Sequence, residues 1–293
     1  VIIIRNKDGS ETRIEVPEGA TVVIAPADKA PPAPKPAPAV QPPVVVPPVA
    51  PPPAAAVASD REAAEYALSI GGWVGVDTKG GEIKAVDELP RGRFVLKWVD
   101  LQDSAHLTDA GVANFKDCAG LEVFNFANAA VGDAGVAHLR NCAKLVGIGL
   151  AGTKVTDAGL AHFKDRKGLT NLFLQHTAVT DAGLAHLAGS ARAMEWLDLT
   201  GTAVGDAGLA HLGPMPALKW FYLSGTKVTD AGLAAFKDSK RLEEFQLCDT
   251  GVTDAGLGHL AGCKELRYFG LDRTGVTDAG LLHFRDCAKL TNL

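Results

Sequence analysis

The chain has 293 residues, 47% of them hydrophobic, and a formal net charge of −5. That is enough for one large or two small domains with a sizeable core. The acidic balance speaks against a nucleic-acid binder, which would show a basic face, and no apolar run of about 18 residues is present to span a membrane.

The chain opens on Val1-Ile2-Ile3-Ile4 rather than Met. It therefore reads as a fragment or processed product, with an upstream signal or membrane anchor as an expectation and its cellular side left open. Residues 1–24 carry two β-rich runs around Lys7-Asp8-Gly9-Ser10. Asp-Gly is a hairpin turn signal, and the hairpin is either a docked accessory or the remnant of a larger piece. Residues 25–58 are nearly all Pro, Ala and Val, and 13 of the 17 prolines lie between Pro26 and Pro53. Such a segment favours extended polyproline II. It reads as a disordered linker, with a docking site for a proline-reading domain as the alternative.

Composition changes at Ser59. Ser59 or Asp60 is placed to N-cap a helix running to Leu68, and Gly71-Gly72 stops it. Trp73–Val76 and Ile83–Val86 then bracket a predicted turn at Gly80-Gly81. A solenoid needs its open end covered, so 59–98 reads as an N-terminal cap of helix plus hairpin.

Residues 99–293 are one pattern repeated. The Asp of each Asp-Ala-Gly falls at Asp109, Asp133, Asp157, Asp181, Asp206, Asp230, Asp254 and Asp278, so the step is 24 residues with a single step of 25. Within the unit starting at Leu169, Leu172 and Leu174 alternate with Asn171, Phe173 and Gln175, the period of a strand with one buried face. Thr180-Asp181 offers side-chain oxygens to the first free N–H groups of a helix. Leu184 and Leu187 share one face of that helix. One unit cannot bury both elements alone, but stacked units can. The expected fold is α/β: a leucine-rich-repeat solenoid bent into a horseshoe arc. Its parallel sheet lines the concave face and its helices the convex one. Eight units are followed by the start of a ninth at Leu290-Thr291-Asn292-Leu293, so further repeats or a polar cap are expected beyond.

The pattern L-x-x-L-x-L-x-x-T-x-V-T-D-A-G-L-x-x-L resembles the ribonuclease-inhibitor-like class of leucine-rich repeats, with Thr where that class usually carries an Asn or Cys ladder. More narrowly, VTDAGLAHFKD and DREAAEYALSIGG resemble a group of bacterial repeat proteins. In some of these a kinase domain and a transmembrane helix precede the repeats, and residues 1–16 are similar to the stretch after that helix. The resemblance implies the solenoid fold and a binding role. No kinase motif stands in this chain, so nothing catalytic carries over.

Three ladders could carry chemistry. The aspartates read as helix caps, with calcium binding as the alternative; stacked calcium sites want several carboxylates per unit. His138, His162, His186, His211, His259 and His283 sit five residues after an Asp, on successive convex helices. Axes about 8–10 Å apart do not bring ring nitrogens around one ion, so a surface or half-buried position is preferred to a metal site. Cys118, Cys142, Cys263 and Cys287 share a slot with Met215. That is apolar packing rather than a redox site, and parallel side-chain vectors argue against disulfides. No catalytic residue, metal site or cofactor is expected.

The unrepeated residues lie on the outward positions of the strands: Val123 and Asn125, Gly147 and Gly149, Asn171 and Phe173, Trp196 and Asp198, Trp220 and Tyr222, Glu244 and Gln246, Tyr268 and Gly270. Aromatics make up 6% of the chain, so their concentration here is informative. The expected ligand site is centred on Phe173, Trp196, Trp220 and Tyr222, with Asp198 and Glu244 as polar partners and Tyr268 at the margin. The reading is a protein- or peptide-binding scaffold or sensor module; the alternative is carbohydrate or cell-wall binding through the same rings.

Overall fold

The computed structural model describes residues 2–5, 11–14 and 54–292 apart from 165, and the backbone alone for 2–5, 11–14 and 54–59. The expected turn at 7–10, the rest of 1–24 and the Pro-rich stretch up to residue 53 lie outside the described residues. The chain divides into two compact units. In the first, β1 (Ile2–Arg5) and β2 (Glu11–Ile14) pair antiparallel with Ile2 opposite Ile14.

The second unit opens with α1 (Ala54–Ser69), which starts earlier than the Ser59 boundary read from the sequence. Asp60 is therefore not an N-cap; it lies inside the helix and is 3% exposed. The strand β3 (Trp73–Val76) and β4 (Lys79–Ile83) pair antiparallel, and Val76 lies opposite Lys79. The turn is thus at Asp77-Thr78, and Gly80 and Gly81 belong to the strand. Its tight closure needs two residues, which the glycine pair had obscured.

From there strand and helix alternate. The strands are β5 (Leu96–Asp100), β6 (Val123–Asn125), β7 (Gly147–Gly149), β8 (Asn171–Phe173), β9 (Trp196–Asp198), β10 (Trp220–Tyr222), β11 (Glu244–Gln246) and β12 (Tyr268–Gly270). The helices between them are α2 (Asp109–Val112), α3 (Asp133–Ala137), α4 (Asp157–Leu160), α5 (Asp181–Ala185), α6 (Asp206–Leu212), α7 (Asp230–Leu233), α8 (Asp254–Gly258) and α9 (Asp278–Leu281). Most are about one turn of α-helix, and α2, α3, α4, α7 and α9 continue into a short 3-10 turn. A 24-residue unit that also holds a strand and two loops leaves room for little more.

Strands β5 to β12 are parallel and in order, and β3 and β4 extend the same sheet antiparallel at its N-terminal edge. Between sheet and helices lies one continuous core. Leu172, Leu174, Leu184 and Leu187 are fully buried, and most of their equivalents along the stack are buried too, with Leu271 and Leu281 of the last repeat only partly so. The rings of Phe221, Phe245 and Phe269 stack in a column nearly parallel, 5.3 and 5.9 Å apart. Each of β5 to β12 leaves the sheet through a left-handed residue. Asp103, Asn128, Gly152, His176, Gly201, Gly225, Asp249 and Arg273 have φ between 54° and 68°. Asn, Asp and Gly tolerate this region best, and the slot recurs because every turn has the same geometry.

The aspartate ladder corrects a sequence expectation. The N-cap of α4, α5, α8 and α9 is the Thr, whose hydroxyl accepts from the N–H two residues on. The Asp instead reaches the next repeat. Asp133 accepts from the Thr156 N–H (2.8 Å) and hydroxyl (2.7 Å), and Asp157 does the same with Thr180. The pattern continues from Asp206 to Thr229, Asp230 to Thr253 and Asp254 to Thr277. Where Gly replaces the Thr, at Gly132 and Gly205, only the backbone bond remains. The Thr277 bonds hold the Asp254 carboxyl below its usual range. The strand-end threonines turn inward within their own repeat: Thr177 donates to the Leu174 carbonyl (2.7 Å).

The Asp-Ala-Gly glycine follows from this ladder. A Cβ on Gly159 would lie 2.5 Å from Asp133 Oδ1. The first repeat has no preceding Asp, and beneath Gly111 the Tyr66 hydroxyl of α1 fills the equivalent space. The α1 face of Ala63, Ala64, Ala67 and Leu68 is buried beside it, and the Tyr66 ring meets Phe115 edge-on at 6.0 Å. The Arg61 guanidinium donates to the Pro90 carbonyl (2.5 Å) and lies over the Phe94 ring.

Asp60 makes this junction pH-sensitive. Burial pushes its carboxyl up to about 6, against the Cys118 thiol and a Leu96 backbone bond, which both pull it down. The folded value lies above the unfolded one, so folding favours the neutral acid. That stabilisation is complete below about pH 4 and is lost as pH rises through about 6, a span worth about 3 kcal/mol. Relative to Asp60→Asn, the melting temperature of the wild type should therefore fall between about pH 4 and about pH 7. A difference between the two that stays constant with pH would remove Asp60 as the titrating group.

Candidate functional site

Equal repeats place equivalent residues in straight columns across the parallel strands. Trp196 pairs with Trp220 and Asn171, and Trp220 pairs with Glu244. In the next outward column, Phe173, Asp198, Tyr222 and Gln246 follow one another. Adjacent strands are about 4.8 Å apart, so large side chains in these columns must touch.

They do. Trp196 is the hub: it meets Phe173 edge-on at 4.9 Å, Trp220 tilted at 5.2 Å and Tyr222 edge-on at 6.1 Å. All four rings are half-buried. The Tyr222 hydroxyl donates to Glu244 (2.7 Å). Burial first, and then the Glu244 carboxylate, holds the Tyr222 phenol well above its ordinary value, so it stays a proton donor. At the cluster's edge Lys219 bonds Glu195 (2.7 Å) and lies 5.5 Å over the Trp220 ring.

Two residues read as site members sit less simply. Asp198 lies between Phe173 and Tyr222 in the column but is only 8% exposed. One of its oxygens accepts from the Thr200 N–H (2.9 Å), and burial raises its carboxyl above the ordinary carboxylate range. It forms the floor of the patch rather than a projecting partner. Tyr268 stands beside Glu244 in register, at the margin, and is exposed at 37%. The sequence reading also began one strand late. In β5, Trp98 and Asp100 continue the two outward columns, paired with Val123 and Asn125. The signal was there in Leu96-Lys97-Trp98-Val99-Asp100, but the cap assignment obscured it.

The two convex ladders lie apart from this face. The ladder histidines are half-buried or exposed, and among the described residues no group of three His, Cys, Asp or Glu could hold a metal. Cys118, Cys142, Cys263 and Cys287 are buried. The Cys142 thiol donates to the Phe115 carbonyl and that of Cys263 to the Ser239 carbonyl, and burial pushes both up to about 11. Among the described residues no helix is long and apolar enough to cross a membrane.

The architecture is that of a leucine-rich-repeat solenoid of the α/β class. Solved structures agree. An internalin (inlF) from Listeria monocytogenes matches with a TM-score of 0.53 at 16% identity, over 67% of this chain and 60% of that one. Internalin C2 (inlC2) from the same organism matches with a TM-score of 0.56 at 18% identity, over 68% of this chain and 80% of that one. The chain thus spans 60% of the first of these proteins, and at such identities the likeness is one of fold. No protein-family model and no curated protein matches the sequence.

Proposed function

We propose that this chain is a non-enzymatic protein- or peptide-binding scaffold or sensor module built from ribonuclease-inhibitor-like repeats. Its ligand site is the outward sheet face centred on Phe173, Trp196, Trp220 and Tyr222. Glu244 and Asp198 are its polar members, and Tyr268 lies at its edge. The observation that carries the reading is the ring cluster around Trp196 on the outward sheet face, which no helix covers among the described residues. Exposed aromatic patches mark interaction sites, and Trp and Tyr dominate binding hot spots at about 2 kcal/mol or more each. Edge-to-face ring pairs stiffen a sheet by only about 0.5–1.5 kcal/mol. Packing alone would more simply be met by aliphatic residues. The upstream membrane anchor and kinase context belong to the same proposal and rest on the sequence resemblance.

The test is selection of a displayed random-peptide library, beside a glycan array, on wild type and on the double variant Trp196→Ala, Trp220→Ala. Wild type should retain peptides that the variant loses, with the repeats still folded by circular dichroism. Retention of the same peptides by the variant, with a lowered melting temperature, would reduce the rings to packing. Capture of glycans but no peptides would transfer the site to carbohydrate.

A further inference from the structure

We infer that the ligand of this face is a basic peptide segment whose Arg or Lys side chain seats on the Trp196–Tyr222 rings between Asp198 and Glu244. The inference rests on the peptide-binding reading and names the chemistry of the partner.

Charge distribution is the first support. No Lys, Arg or His occupies an outward position of β5 to β12, whereas Asp100, Asp198 and Glu244 do. Two residues further along the chain, beyond β12, stands Asp272. The cations that flank the columns are already paired: Lys97 with Glu122, Lys219 with Glu195 and Arg267 with Glu243. The face therefore joins π-systems to carboxylates, and Lys219, the cation over the Trp220 ring, sits at its edge and is already paired with Glu195. His176, on the turn beyond β8, faces Asp198.

The molecule itself displays the proposed geometry once. Lys219 Nζ lies over the Trp220 ring and against the Glu195 carboxylate, at the edge of the cluster. A ligand cation over Trp196 and Tyr222 would meet the same pair of features one repeat inward, with Asp198 or Glu244 as the carboxylate. Indole and phenol faces attract ammonium and guanidinium groups, more strongly where water is excluded. Asp198 is already desolvated by the fold, so a cation arriving there completes an ion pair whose carboxylate has largely been stripped of water.

Unspent hydrogen-bonding groups agree with a peptide. Gln175 Oε1 and Trp196 Nε1 are buried without a hydrogen-bond partner. The first is an acceptor and fits a guanidinium or ammonium, which only donates. The second is a donor and fits a backbone carbonyl. Any peptide offers both through its backbone N–H and carbonyl groups, and a basic side chain adds a charged donor for Gln175.

The experiment uses the displayed random-peptide library on the whole chain. Recovered peptides should be enriched in Arg and Lys, and their affinity should fall as salt rises. Replacing the basic residue of a recovered peptide by Gln should weaken binding about ten-fold. In the protein, Glu244→Gln keeps an acceptor for Tyr222 and removes the charge; it should weaken binding several-fold, while Asp238→Asn on an exposed convex turn leaves it unchanged. Peptides recovered without basic enrichment, or bound equally by Glu244→Gln at every salt concentration, would overturn the cation while leaving the peptide site standing. Recovery of no peptide, or of the same peptides by the Trp196→Ala, Trp220→Ala variant, would overturn both.

Discussion

Replacing Gly159 by Ala should destabilise the chain by about 3 kcal/mol, although helix propensity alone favours Ala by about 1 kcal/mol. The added Cβ would stand 2.5 Å from Asp133 Oδ1 and 2.9 Å from Val155 Cγ1. The carboxylate cannot simply turn away. The Thr156 N–H and hydroxyl hold it at 2.8 and 2.7 Å, and giving up bonds to a charged acceptor costs about 1.5–3 kcal/mol. Overpacking adds about 1–3 kcal/mol. Together these exceed the propensity gain. The cause is checked by a double-mutant cycle in urea: in an Asp133→Ala background, Gly159→Ala should cost at most about 1 kcal/mol, a coupling of about 2 kcal/mol. Additive effects would mean that the ladder is not why this position is Gly.

Phe245→Ala should cost about 4 kcal/mol, within the usual range for a buried Phe. Its ring is fully buried and stacked on both sides, with Phe221 at 5.3 Å and Phe269 at 5.9 Å. The neighbours are fixed in their own strands and cannot close the space. Because each repeat contacts only its neighbours, the damage should stay local. Amide exchange should quicken first in β11, β12 and α9 and last in β6 and β7. A loss under about 1 kcal/mol would show that adjacent rings collapse into the gap, and uniform exchange along the chain would show that the stack unfolds as one unit. Phe245 follows Glu244 in β11, so on the proposed reading this variant should also weaken peptide binding at that end of the face.

What the sequence determined by itself is whatever lies within one repeat. The constant 24-residue step, the alternation of Leu172 and Leu174 with Asn171 and Phe173, and the Thr-Asp-Ala-Gly start of each helix need only local geometry. They suffice for the solenoid and for the parallel sheet opposite the helices. Constant length also sets register, so the Trp196–Trp220 and Asp198–Tyr222 pairings were legible before any coordinate. What only the tertiary structure decided lies between repeats. Asp133 could satisfy its own helix or the next one; stacking brings Thr156 within 2.7 Å and settles it. The same stacking puts Tyr66 beneath Gly111 and sinks Asp198 into the floor of the ring cluster. The cap lacked a period to read, so the start of α1 and the Asp77-Thr78 turn emerged only with the fold. Partners some 23–25 residues apart in sequence become neighbours only when the units stack, and burial is a property of that stack rather than of any single unit.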